Sequence, residues 1–248
     1  MRRHVRHALA VAGIAMLLLS GSVGTGLAAA PGPVAIANIS PAAGQVVGVA
    51  MPVTVTFAAP VVDRAAVERS FDVTSPDAPQ GTFTWLKNDV VQWTPSTYWP
   101  AHSAVALSVG GVKTSFEAGA SVVGVADLDA HTFTVSVDGQ VARTMPASMG
   151  KPNHTTPIGS FTALEKQSPV IMDSRTIGIP LSDPEGYKLT VYDAVRVTWG
   201  GVYVHAAPWS VASQGKANVS HGCINLSPDN AAWYYDQVSI GDPIIVQA

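Results

Sequence analysis

A single cysteine, Cys223, stands two positions after His221 and eighteen after His205. A thiol at its ordinary pKa of about 8.5 is only a few per cent thiolate at neutral pH. Chemistry at Cys223 therefore needs a base or a cation close by, and donors for the oxyanion formed when sulfur adds to a carbonyl. Either histidine could supply the base. In an extended segment His221 and Cys223 would point the same way, and Gly222 between them lets the backbone approach a substrate carbonyl closely. His205 ends a predicted strand, where a side chain is held firmly and aimed into a cleft.

Plainer readings stand beside this one. A lone histidine is more often a surface or hydrogen-bonded residue than a catalyst, and a lone cysteine can be an inert buried thiol or one half of an intermolecular link. An intramolecular disulfide is excluded by count. A zinc centre would require His205, His221, Cys223 and a fourth ligand, yet no Asp or Glu lies between 205 and 228. No metal and no cofactor is expected on that account. A papain-like protease places its cysteine ahead of its histidine, the reverse of the order here.

The elements that must position these residues are mostly strands. From 31 to about 119 the chain alternates at period two, as in Val53-Thr54-Val55-Thr56-Phe57. Thr82-Phe83-Thr84-Trp85 and Val90-Val91-Gln92-Trp93 flank Lys87-Asn88-Asp89, a hairpin signal. Residues 104–109 and 114–116 read as closing strands, and 65–71 as one short helix capped by Asp63. A small β-sandwich of immunoglobulin-like type is expected over 31–120, with its acidic residues solvated in turns.

A second pattern restarts after Gly119-Ala120-Ser121, giving a second domain over 121–248. Thr132 to Val137 is followed by Asp138-Gly139, a tight-turn dipeptide, and then by Gln140 to Thr144. Strands are also expected at 194–199, 201–205 and 243–246. The stretch 166–190, rich in Pro, Gly, Ser and Asp, reads as a long irregular lid. After the cysteine, Ser227 caps a helix that Pro228 opens and that runs to about Val238. The expected fold is thus mostly β, with one or two helices and a lid loop.

Composition narrows the setting. Hydrophobic residues make up 47% and charged residues 12%, too apolar and too uncharged for a disordered chain. Arg2, Arg3 and Arg6 precede a twelve-residue apolar run at 8–19 and a small-residue tail ending in Ala28-Ala29-Ala30. That is the layout of a secretory signal over 1–30, too short for a comfortable span. Without it, 11 basic face 17 acidic side chains, which argues against nucleic acid as a partner. Export to the periplasm or cell wall is expected, with the signal either cleaved or kept as a membrane anchor.

Ser220-His221-Gly222-Cys223-Ile224-Asn225, with fourteen residues between His205 and Ser220, resembles the signature of the L,D-transpeptidases, the YkuD-type catalytic domain. Gly150-Lys151-Pro152, Thr156 to Phe161 and His205-Ala206-Ala207-Pro208-Trp209 are similar as well. Met172-Asp173-Ser174, Gly186-Tyr187 and the preceding β-rich domain look like the mycobacterial type with one immunoglobulin-like domain.

The resemblance implies that Cys223 is the nucleophile on the third residue of a peptidoglycan donor tetrapeptide, releasing D-Ala. It implies His205 as base, oriented by the carbonyl of the next residue, here Ala206 where relatives often have serine. The N–H groups of Gly222 and Cys223 would meet the oxyanion, and a diaminopimelate amine would complete a 3→3 cross-link. Tyr187 and Met172 on the lid, Gly200, Gly201, Trp209, Ser220 and Asn225 would line or shape the substrate site. β-Lactams of the carbapenem class are the expected inhibitors. An L,D-carboxypeptidase, a wall-binding module without activity and a purely structural wall protein remain as alternatives.

Overall fold

Burial follows the alternation along the first half. Val53–Phe57 is buried at every second residue, the half-buried pleat that β-branched and aromatic side chains suit. The computed structural model describes residues 34–77 and 80–248, so the expected signal at 1–30 lies outside the described residues. Two four-stranded sheets form the first half. One is ordered Ile36–Ser40, Val53–Phe57, Val90–Pro95, Gly81–Lys87, the other Val46–Val47, Val112–Ala118, Ser103–Val109, Phe71–Thr74. They enclose Val55, Trp93, Trp99, Leu107 and Phe116, giving the expected immunoglobulin-like sandwich. Asp63 caps the short helix Arg64–Arg69 by accepting from the Ala66 N–H at 2.9 Å. The helix stops short of Phe71, which opens a strand and sets its ring edge-on to Phe83.

The second half holds a five-stranded sheet ordered Gln140–Pro146, Thr132–Val137, Val122–Asp127, Pro243–Gln247, Gly159–Thr162, and a four-stranded sheet ordered Glu165–Gln167, Ala194–Arg196, Tyr203–Ala206, Ile224–Leu226. Asp138 and Gly139 take φ of +49° and +79°, the turn geometry that matches the twist of the strands they join. Ser227 caps the helix Pro228–Gln237. Tyr234 of that helix lies edge-on to Phe133 at 4.9 Å, in a core that includes Met145, Met149, Val204, Ile224, Leu226 and Ile244.

The stretch expected as an irregular lid is more ordered than its composition suggests. Val170–Asp173 and Lys188–Val191 pair as an antiparallel ribbon, and Ser174–Ile177 forms one 3-10 turn that Gly178 ends at φ +84°. Apart from the bend at 168–169, only the tip, 178–187, is without regular structure. The alternation in Val-Ile-Met-Asp and Lys-Leu-Thr-Val is short, and the Pro, Gly and Ser of the tip conceal it. The lid is therefore a ribbon arm with an irregular end.

The two halves meet at a backbone seam. The Gly48 N–H donates to the Ile240 carbonyl at 2.8 Å and the Ala50 N–H to the Gly241 carbonyl at 2.9 Å. Asp242, fully buried beneath them, accepts from the N–H groups of Ser239 at 2.7 Å and Val49 at 3.3 Å. Burial pushes its carboxyl up to about 6 in spite of those bonds. A Cβ on Gly48 would fall 2.0 Å from the Asp242 nitrogen, so only glycine lets the chains approach this closely. Gly48→Ala is expected to cost on the order of 2 kcal/mol, about 4–8 °C in melting temperature for a chain of this size. Thermal unfolding followed by circular dichroism checks this, and an unchanged midpoint would show that the seam yields freely.

Candidate active site

Two parallel strands set the site. Val204 pairs with Ile224 and His205 with Asn225, which puts Tyr203 level with Cys223. Neighbours across a ladder share a face, as do residues two apart along a strand. His205, Tyr203, Asn225 and Cys223 therefore share one face. Strands lie about 4.8 Å apart and two residues advance about 6.6 Å, so the thiol and the imidazole are diagonal neighbours.

His205 is 2% exposed, and its Nδ1 lies 2.8 Å from the Ala206 carbonyl oxygen. A carbonyl can only accept, so Nδ1 carries the proton and Nε2 presents its lone pair. Burial holds the imidazole down to about 4, against the pull of that hydrogen bond. The Cys223 thiol, half-buried, donates to the Gly201 carbonyl at 3.6 Å. Burial pushes it up to about 11, with the Tyr203 backbone pulling the other way. At neutral pH a protonated thiol thus stands near a neutral imidazole, and no thiolate–imidazolium pair is preformed.

The loop before the thiol is tied by its own side chains. Ser220 Oγ donates to the Cys223 carbonyl at 2.7 Å and accepts from the Gly222 N–H at 3.0 Å. The Gly222 N–H, expected as an oxyanion donor, is already engaged. Gly222 turns the chain at φ +120°, so the condition for His221 and Cys223 to point the same way, an extended segment, is not met. His221 instead stacks obliquely on Tyr187 and His154, with ring centres 5.1 and 4.9 Å away.

A cleft of about 420 Å³ opens over Cys223 and His205, walled by Met172, Tyr187 and Leu189 of the arm, by Trp209, and by Ser220, His221 and Asn225. Trp209 is 53% exposed, with its ring centre 6.0 Å from that of His205, so it walls the cleft and is not core. Met172 packs in the small cluster that includes Cys223 and Tyr203. Asn225 is buried, and its amide donates to Ser210 Oγ at 3.2 Å. Gly201 touches the thiol through its carbonyl, whereas Gly200 sits in the exposed turn before it, outside the cleft wall.

His154 and Glu185 escaped the sequence reading of the site, and Lys151 and Thr156 entered it only as parts of matching motifs, without a role. Buried Thr156 donates to the Gly222 carbonyl at 2.9 Å and accepts from the Gly150 N–H at 2.9 Å, pinning the loop from below. Glu185, at the arm tip, pairs with Lys151, His154 and His221. The Lys151 ammonium holds the Glu185 carboxyl below its ordinary range, while burial and then the Lys151 charge hold His221 down. Nothing in the local sequence marks Glu185 or His154, because both act across loops far apart in the chain.

Comparison with known proteins agrees with this architecture. The L,D-transpeptidase catalytic domain profile, YkuD, matches residues 121–246, and a bacterial Ig domain profile matches 25–113. L,D-transpeptidase 1 of Mycobacterium tuberculosis is 57% identical over 249 residues, covering 99% of each chain. A solved L,D-transpeptidase from Mycobacterium smegmatis is 72% identical, with a TM-score of 0.83 over 87% of this chain and 100% of that one. The L,D-transpeptidase LdtMt1 in complex with imipenem is 60% identical, with a TM-score of 0.82 over 86% and 99%. A bacterial Ig domain followed by a YkuD catalytic domain is a two-domain arrangement. The chain belongs to the L,D-transpeptidase family.

The charge states give a pH dependence. A thiol raised to about 11 stays protonated through neutral pH, so its alkylation by iodoacetamide is expected to accelerate continuously from pH 6 to beyond pH 9. A plateau reached below pH 8 would mean that the thiolate is already formed.

Proposed function

We propose that this chain is a peptidoglycan L,D-transpeptidase in which Cys223 is the nucleophile and His205 its base. The observation that carries the reading is the buried His205, fixed at Nδ1 by the Ala206 carbonyl, on the same face as Cys223. Rotation about the Cα–Cβ bond turns the thiol from the Gly201 carbonyl toward His205 Nε2. Sulfur then adds to the carbonyl of the third stem-peptide residue while Nε2 takes the thiol proton. The oxyanion is met by the Cys223 N–H and the Tyr187 hydroxyl. Collapse breaks the bond to the terminal D-Ala, whose amine receives the proton from the imidazolium. The thioester left on Cys223 is attacked by a diaminopimelate side-chain amine. That amine gives its proton to Nε2, the proton returns to the sulfur, and a 3→3 cross-link results.

The same thiol would open a carbapenem ring by the same addition, which agrees with the imipenem complex of the similar protein. A wall substrate requires export, in keeping with the basic and apolar leader at 1–30. Hydrolysis of the same thioester, the L,D-carboxypeptidase reaction, is disfavoured by the similarity to transpeptidases along the whole chain.

The test is mass spectrometry of the full chain incubated with a disaccharide-tetrapeptide ending in D-Ala. A dimer joined between third residues, with loss of D-Ala, is the expected product. Tripeptide alone would reassign the chain as a carboxypeptidase. Cys223→Ala is expected to abolish both dimer formation and β-lactam acylation with the fold intact, and persistent turnover would remove the nucleophile assignment. His205→Gln is expected to slow acylation by about 10²–10⁴, the usual contribution of a general base. An unchanged rate would transfer that role to His221.

A further inference from the structure

His154, Glu185 and His221 come from three separate loops: the one after Gly150, the tip of the arm, and the turn before Cys223. Their donor atoms nevertheless converge. Glu185 Oε2 lies 3.2 Å from His221 Nε2 and 3.4 Å from His154 Nε2, and all three atoms lie within 4.8 Å of one another. A zinc ion holds nitrogen and carboxylate oxygen at about 2.0–2.2 Å in a tetrahedron, so its ligand atoms stand roughly 3.3–3.6 Å apart. Two edges of such a tetrahedron are already present.

We propose that His154, Glu185 and His221 form a binding site for a divalent cation of the zinc class, with the fourth position open to solvent. Two imidazoles and one carboxylate suit a borderline transition metal, whereas magnesium and calcium take oxygen ligands. Access is available, because the three side chains are 30%, 44% and 19% exposed. Lys151 occupies the other carboxylate oxygen, Oε1, so Glu185 ligates through Oε2 alone while Lys151 fixes its orientation, as outer partners of metal ligands do. The two rings are tilted 57° to each other, so their nitrogens are brought to bear on one point from different directions. An ion here ties the arm tip to the loop that ends in Cys223, and so holds the arm over the cleft. The site stands on its own residues and does not depend on the catalytic assignment.

Zinc binding is measured on the full chain carrying Cys223→Ser, so that the thiol cannot account for any metal. Equilibrium dialysis against zinc, read by elemental mass spectrometry, is expected to give one ion per chain. Adding His154→Ala or Glu185→Gln is expected to weaken binding at least tenfold, since even loss of an outer partner costs 10–100-fold. Zinc is expected to raise the melting temperature of the Cys223→Ser protein and not that of its His154→Ala derivative, whose metal-free melt shows that it folds. No binding, or binding unaffected by both substitutions, would overturn the proposal.

Discussion

The site depends on one pairing, the parallel alignment of Tyr203–Ala206 with Ile224–Leu226. A slip of one residue would turn either His205 or Cys223 to the opposite face, because side chains alternate with period two. The register is held from below. Val204, Ile224 and Leu226 face the core with the helix side chains Ala231 and Tyr234, so their burial decides which face the histidine and the cysteine occupy. Parallel strands cannot be joined by a tight turn, and the connection between them, 207–223, carries Trp209, Ser220 and His221 around the cleft. The same constraint that places the thiol thus supplies much of its wall.

Burial also sets the chemistry. It disfavours the imidazolium and the thiolate alike, so the resting pair is neutral, and charge appears only as bonds are made. The turn before the thiol is also fixed from within. Ser220 takes the Gly222 N–H and thereby rigidifies the turn, leaving fewer donors but a loop whose shape is fixed before substrate arrives.

Much of this was legible in the sequence because the signals are local. The Asp138-Gly139 turn, the Asp63 and Ser227 caps and the alternation of Val53–Phe57 each act over a few residues, and the structure contains all of them. His205 and Cys223 were legible as residue types at a spacing. The ribbon arm was not, since two four-residue strands flank a tip whose Pro, Gly and Ser dominate the window. The turn at Gly222 was missed because glycine permits an extended chain as readily as φ +120°, and what selects between them is Ser220 Oγ and buried Thr156. Glu185 and His154 were invisible for a related reason: their meaning arises only when loops more than thirty residues apart close on His221.

Alanine at 206 separates two possible origins of histidine orientation. Nδ1 is bound to the main-chain carbonyl of Ala206, the last residue of its strand, and that carbonyl is fixed by the strand whatever side chain residue 206 carries. A hydroxyl at 206 would therefore be dispensable for the tautomer. The partner that matters is the backbone, which mutation of residue 206 leaves in place so long as the strand register survives. The tautomer, and with it the lone pair on Nε2, is consequently set by the backbone of the strand that carries both His205 and Ala206.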